Sequence, residues 1–210
     1  MVLGAEPSPK QANVIYNLNS SDIRAIFPSA INYSIIQSDN ITAFSGHIAQ
    51  SGYSYVSVSL FNATRINNQS IYPALISSSV FVTSSTSAAS SLEDGIANAL
   101  AQDIVLPGNQ TSSSGNAANG VITSKIGYSY KGANTTIMTI FNTNAFNSTT
   151  PAQIQAGKYP LYESWSAFSY KNMAGFIVTI GYTHLYGSYS VILAERLFQH
   201  IVNGNASRQQ

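Results

Sequence analysis

Gly175-Phe176-Ile177-Val178-Thr179-Ile180-Gly181-Tyr182, and shortly after it Ser188-Tyr189-Ser190-Val191-Ile192-Leu193-Ala194-Glu195-Arg196-Leu197-Phe198-Gln199-His200-Ile201-Val202-Asn203, decide the fold. In the first stretch Phe176, Val178 and Ile180 fall on one side at period two, which predicts a strand, the most apolar of the chain. In the second, Val191, Ala194, Leu197, Phe198, Ile201 and Val202 recur at helical spacing, which predicts a helix over 188–203 with Gly204 as its C-cap. Working back from there, Ser90-Ser91-Leu92-Glu93 has the form of a capping box. Leu92, Ile96, Ala99, Leu100 and Ile104 then continue at helical spacing, so a second long helix is expected over 90–104, stopped by Pro107-Gly108. A short third helix is expected where Ser20-Ser21-Asp22 precede Ile23, Ile26 and Phe27, ending at Pro28.

Between these helices the chain reads as strands. They are expected at 13–18, 31–37, 41–49, 52–61, 79–83, 121–130, 136–142, 164–170 and 175–182. The clearest is 52–61, where Val56, Val58 and Leu60 point one way and Tyr55, Ser57 and Ser59 the other. Strands come in runs and do not alternate one-to-one with helices, so a βαβ parallel sheet is not expected. The expected class is α+β, an antiparallel sheet with the two main helices on one face; a β-sandwich with peripheral helices is the alternative. The Ser/Thr/Tyr-rich side of the strands reads as a solvated face. Residues 62–70 and the Gly/Asn/Ser-rich stretch 108–120 read as loops, residues 1–12 as an extended tail with Pro7 and Pro9, and 13–205 as a single domain.

Composition narrows the function classes. Charged residues make up 8% of the 210, and nine basic against eight acidic side chains leave a net charge of +1. The basic residues are scattered, so nucleic acid and anionic lipid are not expected partners. Cysteine is absent, which excludes thiol catalysis and cysteine-held metal or iron–sulfur sites. No apolar run is long enough for a transmembrane helix, and Met1-Val2-Leu3-Gly4-Ala5 is too short for the core of a signal peptide.

Asparagine, serine and threonine replace the missing charge. The pattern Asn-X-Ser/Thr occurs nine times, at Asn19, Asn32, Asn40, Asn62, Asn68, Asn109, Asn134, Asn147 and Asn205. Composition alone gives about four, for a motif that reads as an N-glycan acceptor. Glycans are bulky and solubilising and would keep a near-neutral surface in solution. The expected partners are therefore N-linked glycans, with self-association or other surface proteins beside them. The expected place is the cell surface or outside the cell, with any signal peptide already removed. In charge, cysteine and sequon density, and in runs such as Thr83-Ser84-Ser85-Thr86-Ser87, the chain resembles surface proteins of thermoacidophilic archaea. The resemblance is one of composition over the whole chain and implies no site residues.

Candidate chemistry is sparse. His47, His184 and His200 share no chelating spacing, so no metal site is expected. No phosphate-binding loop, dinucleotide fingerprint, calcium loop or nucleophile elbow is present, and no cofactor is expected. Glu163 stands in the most aromatic stretch, Tyr159-Pro160-Leu161-Tyr162-Glu163-Ser164-Trp165. A carboxylate beside aromatic rings can serve a glycosidase, but the preferred reading is a solvated side chain. Tyr53, Tyr55, Tyr128, Tyr130, Tyr182, Tyr186 and Tyr189 are ascribed to strand propensity. The expected function is a glycosylated, non-catalytic structural or binding component of a surface or filamentous assembly, in which residues 13–18 add a strand to a neighbour or pair within their own sheet. The alternatives are a secreted small-ligand-binding domain and a secreted hydrolase.

Overall fold

Hairpin-forming strands and three helices make up the described part of the chain. The computed structural model describes residues 16–28, 31–39, 53–64, 71–103, 121–142, 162–182 and 187–206. After a short helix α1 (Ser20–Ile26), strands β1 (Tyr33–Asp39), β2 (Tyr53–Ala63) and β3 (Leu75–Thr83) form a meander. Helix α2 (Thr86–Asp103) follows, then a second meander of β4 (Val121–Tyr130), β5 (Ala133–Asn142), β6 (Tyr162–Tyr170) and β7 (Met173–Gly181), and last helix α3 (Gly187–Ala206). The meanders join where β3 pairs with β7, giving one antiparallel sheet in the order β1-β2-β3-β7-β6-β5-β4. The class is α+β with an antiparallel sheet, as the strand runs lead one to expect.

The two long helices, however, do not share a face. Phe61, Ile76, Val80, Ile137, Phe168, Met173 and Ile177 pack with Leu193, Leu197, Phe198 and Ile201 of α3. Val56, Val58, Phe81, Ala167, Ala174 and Phe176, at alternate positions of the same strands, pack instead with Leu92 and Ile96 of α2. The helices therefore lie on opposite faces. Both sides of β7 are covered, which explains why Met173 to Ile177 are all buried and why this strand is so uniformly apolar.

The expected solvated face is the one under α3. Ser57, Ser59, Ser78, Thr139, Ser164, Ser166 and Thr179 are buried. Residues 16–18 lie across them in place of the strand expected at 13–18, and residues 13–15 are outside the described part. Tyr16 and Leu18 are fully buried. Between them the Asn17 amide Nδ2 donates to Ser57 O at 3.1 Å, Ser57 Oγ at 3.0 Å and Ser78 O at 3.2 Å, while Oδ1 accepts from Ser78 Oγ at 2.7 Å. Farther along the sheet, Ser190 of α3 bonds Ser164 Oγ at 2.8 Å and Ser166 Oγ at 2.9 Å, and Ser166 meets Thr139 at 3.1 Å.

The helix boundaries shift from the expected ones for local reasons. Ser85 Oγ accepts from Ala88 N at 3.1 Å, so α2 starts before Ser90, and Ser90–Glu93 lies inside the helix. The reciprocal capping box belongs to α1, where Asn19 caps and Asp22 returns the bond. Gly204 sits within the last turn of α3 and does not cap it. The strand expected at 41–49 and the loop 108–120 fall outside the described residues, and the strand expected at 79–83 starts earlier, at Leu75.

Two hairpins in the second meander are built alike. Ser129-Tyr130-Lys131-Gly132 turns with positive φ at Lys131 (50°) and Gly132 (79°), and Ser169-Tyr170-Lys171-Asn172 has positive φ at Lys171 (53°). In each, the lysine ammonium rests over the preceding tyrosine ring, 5.4 Å from Tyr130 and 5.5 Å from Tyr170. Tyr128, Phe168 and Tyr170 surround Phe198 edge-on at 5.8, 5.6 and 5.3 Å.

Gly175 leaves the space that Phe168 fills. A Cβ there would meet Phe168 Cζ at 2.4 Å and Leu197 Cδ2 at 3.1 Å, and the ring has nowhere to go because Phe168 is fully buried. Gly175→Ala is expected to lower stability by ~1–3 kcal/mol, read as an earlier urea midpoint. Asn17→Ala, which removes four buried hydrogen bonds to β2 and β3, is expected to cost ~2–4 kcal/mol in the same measurement.

Candidate functional site

Four of the sequon asparagines lie where their surroundings are described, and all four are exposed: Asn19, Asn32, Asn62 and Asn134. Asn32 and Asn62 lie two positions out of register at the β1–β2 corner, Asn62 opposite Ser34 and Asn32 bonded by the Thr64 N–H at 2.7 Å. The hydroxyl of each sequon engages the backbone of the other: Thr64 Oγ1 donates to Asn32 O at 2.8 Å, and Ser34 Oγ to Asn62 O at 3.3 Å. These bonds hold the corner while using neither carboxamide. Asn19 spends its Oδ1 on the α1 cap, accepting from Ser21 N at 2.8 Å, and its Nδ2, the glycan-bearing atom of a sequon, is not used in that bond. Asn134 stands in β5 beside the Lys131-Gly132 turn, opposite Ser129. Asn62 and Asn134 thus lie in strands, Asn62 at the end of one where a loop is expected. Asn205 falls in the last turn of α3, and Asn40, Asn68, Asn109 and Asn147 are outside the described residues.

Beside Asn32 a groove of about 150 Å³ opens between α1 and the β1–β2 corner, lined by Ile23, Arg24, Phe27, Tyr33 and Phe61 among others. Phe27 is clamped by Tyr33 at 5.5 Å and Tyr189 at 5.1 Å, with Tyr72 edge-on at 6.2 Å. Small-molecule pockets run to about 300–1,000 Å³, so this groove falls short of a site that encloses a ligand.

The titratable groups form three separate clusters. Asp22, 1% exposed at its side chain, accepts from Arg196 Nε at 2.8 Å, bonds His200 Nε2 at 2.9 Å, and takes the Asn19 N–H at 2.9 Å. Burial alone would raise its pKa, but the bonds from His200, Asn19 and Arg196 outweigh burial and bring it to about 2. This knot ties α1 to α3. It engages His200 with a carboxylate that Arg196 and the Asn19 N–H also share. Glu93, on α2, reaches Ser169 at the far end of β6, and burial raises its pKa.

Glu163 is not solvated as expected. It lies at the start of β6, and burial pushes it up to about 7, offset only in part by the Trp165 indole N–H that faces it. Six residues of strand separate Glu163 from Ser169, roughly 20 Å at the strand rise. Glu93 and Glu163 therefore stand too far apart to act as a glycosidase pair, which needs carboxyls about 5–10 Å apart. Among the described residues no three His, Asp or Glu side chains gather as metal ligands; His47 and His184 are outside them. Sequence spacing missed the Asp22 knot because its members are distant in the chain. The one local clue was Asp22 in the first turn after Asn19.

No family model matches the chain, and no curated protein sequence does. A search of solved structures finds the extracellular domain of PknH from Mycobacterium tuberculosis. It has a TM-score of 0.51 and 11% identity over 92% of this chain and 98% of that one. The likeness is one of fold. Among the described residues no helix is long and apolar enough to cross a membrane.

Two carboxyls pull stability in opposite directions with pH. Asp22 stabilises the fold as an anion, fully above its ordinary 3.8, and that contribution fades as pH falls toward 2. Glu163 is accommodated as the neutral acid. Its contribution is complete below its ordinary 4.5 and is lost as pH rises through about 7. Urea unfolding across pH is expected to show greatest stability near pH 4–5, with a decline on the order of 2 kcal/mol toward pH 8. Glu163→Gln should flatten that alkaline decline and leave the acid limb, whereas Asp22→Asn should flatten the acid limb only.

Proposed function

We propose that this chain is an extracellular, N-glycosylated, non-catalytic domain that serves as a structural or binding component of a surface assembly. The observation that carries the reading is the exposure of Asn19, Asn32, Asn62 and Asn134, in a chain with nine sequons and 8% charge. The asparagines sit on α1, at the β1–β2 corner and beside the β4–β5 turn, so glycans there would surround the domain. The resemblance in composition to surface proteins of thermoacidophilic archaea belongs to the same reading. A surface of amides, hydroxyls and sugars keeps its character in acid, where exposed carboxylates lose their charge. The fold it shares with an extracellular domain supports this placement. The dispersed carboxyls and the small groove favour surface recognition over catalysis or ligand enclosure.

Intact mass and glycopeptide mapping of the protein from its native source test the reading. Glycan additions are expected on the peptides carrying Asn19, Asn32, Asn62 and Asn134. An unmodified mass would overturn it.

A further inference from the structure

Among the described residues the sheet is open, with β1 at one edge and β4 at the other. Open edges offer unpaired backbone groups to another chain, and proteins block them with lysines, prolines, bulges or covering segments. The two edges of this sheet are treated differently. β1 has a sequon asparagine on either side, Asn32 before it and Asn40 after it, and a third, Asn62, opposite its Ser34. Strand β4 carries no sequon, no proline and a single lysine. It runs in unbroken register with β5 over ten pairs, with no bulge to turn its edge away. Thr123 to Gly127 are all exposed, Ile126 by 40%; β1 also exposes an isoleucine, Ile36 at 63%, but between flanking sequons. At its far end the strand is braced from α3, where Gln199 Nε2 donates to Tyr128 Oη at 2.7 Å.

We propose that β4 pairs antiparallel with β4 of a second copy, about a two-fold axis at Ile126, so that the two sheets become one. Side-chain complementarity selects both partner and register. With Ile126 opposite Ile126, the exposed isoleucines cover each other, Lys125 lies across from Gly127, Ser124 from Tyr128, and Thr123 from Ser129. Centring on Lys125 would set two ammonium groups face to face, which destabilises a cross-strand pair. Centring on Gly127 would leave the axis without side-chain contact. A net charge of +1 per chain gives two copies little reason to repel. A two-fold, isologous contact also closes on itself, so the β1 edge stays free to carry glycans. The pairing deepens the assembly part of the proposed function; the preference for β4 over β1 rests on the sequons that flank β1, while the register centred on Ile126 is argued without them.

The full chain without glycans, made in a bacterial host, tests the pairing separately from glycosylation. Light scattering on a size-exclusion column should give twice the chain mass of 22.4 kDa at high concentration. Ile126→Lys should raise the dimer dissociation constant at least ~10-fold, since it places like charges opposite each other. Because the chain has no cysteine, Ile126→Cys gives an unambiguous probe. Directly opposed Cβ atoms lie about 4.5–5.5 Å apart, close to disulfide reach, so mild oxidation should link it into covalent dimers. Ser124→Cys, several positions from its own copy in this register, should not link. Ile126 is exposed, so both its variants, kept reduced and diluted to where all three proteins are monomeric, should keep the wild-type urea midpoint, since only association shifts it. A wild-type monomer at all concentrations, linkage of Ser124→Cys as efficient as that of Ile126→Cys, or open-ended oligomers growing with concentration would each overturn the proposal.

Discussion

Hydroxyl groups on a covered sheet face must find partners inside the fold, and here that requirement organises the α3 side of the molecule. Leaving such a group buried and unpaired costs on the order of 1–3 kcal/mol. Ser57, Ser59, Ser78, Thr139, Ser164 and Ser166 all lie buried on the central strands; Thr179 Oγ1, buried beside them, is left without a hydrogen-bond partner among the described residues. Two residues outside the sheet answer most of this demand. Asn17 presents both ends of its amide to β2 and β3, and Ser190 lays one hydroxyl between two of β6. Each is flanked by apolar anchors, Tyr16 and Leu18 around Asn17, Leu193 and Ala194 after Ser190. The polar bonds therefore set where the covering segments sit, and the apolar neighbours supply the burial that holds them there.

The remaining face is simpler, because its contacts are apolar. Phe81 and Phe176 meet edge-on at 5.4 Å beneath Leu92 and Ile96 of α2. Opposite faces for the two long helices follow from the chain order. α2 is inserted between the two meanders and α3 follows the last strand, so each can reach the face its own neighbouring strands expose. Phe198, ringed by Tyr128, Phe168 and Tyr170, then locks α3 onto both hairpins of the second meander at once. The Ser-Tyr-Lys turns bring those aromatic residues to equivalent places.

What the sequence made legible was periodicity, and what it concealed was coverage. The strand at 121–130 and the stripe of Val191, Ala194, Leu197, Phe198, Ile201 and Val202 could be read directly, because residue spacing is a local property. Alternation in Val56-Ser57-Val58-Ser59-Leu60 reads as one buried and one wet side, because serine is usually exposed. Only the position of Asn17, some forty residues away, reveals that both sides are dry. Glu163 misled in the same way: a lone acid reads as solvated until the fold shows it half-buried beside Trp165. Capping was misplaced for a related reason. Ser90 and Glu93 have the spacing of a box, but Ser85 offers the helix an earlier start, and the hydroxyl-rich run before it gave no way to choose. The sequons were visible as a pattern; that the hydroxyls of the Asn32 and Asn62 sequons bond each other's backbone could not be read without the β1–β2 register.

Electrostatics completes the picture by subtraction. Of eight acidic residues, Asp22 is committed to a bonded knot and Glu163 is driven toward neutrality by its surroundings. The eight acids and nine basic residues are few for 210 residues and nearly balance, and the basic ones are scattered. A surface of this kind generates almost no long-range field. Recognition on it must come from shape, from backbone and amide hydrogen bonds, and from the amphipathic rings of tyrosine, all of which act at contact. Selectivity then depends on which stretches are left uncovered. A sheet with one edge flanked by sequon asparagines and the other without any has that distinction written into its sequence, and it needs no charged patch to tell one side from the other.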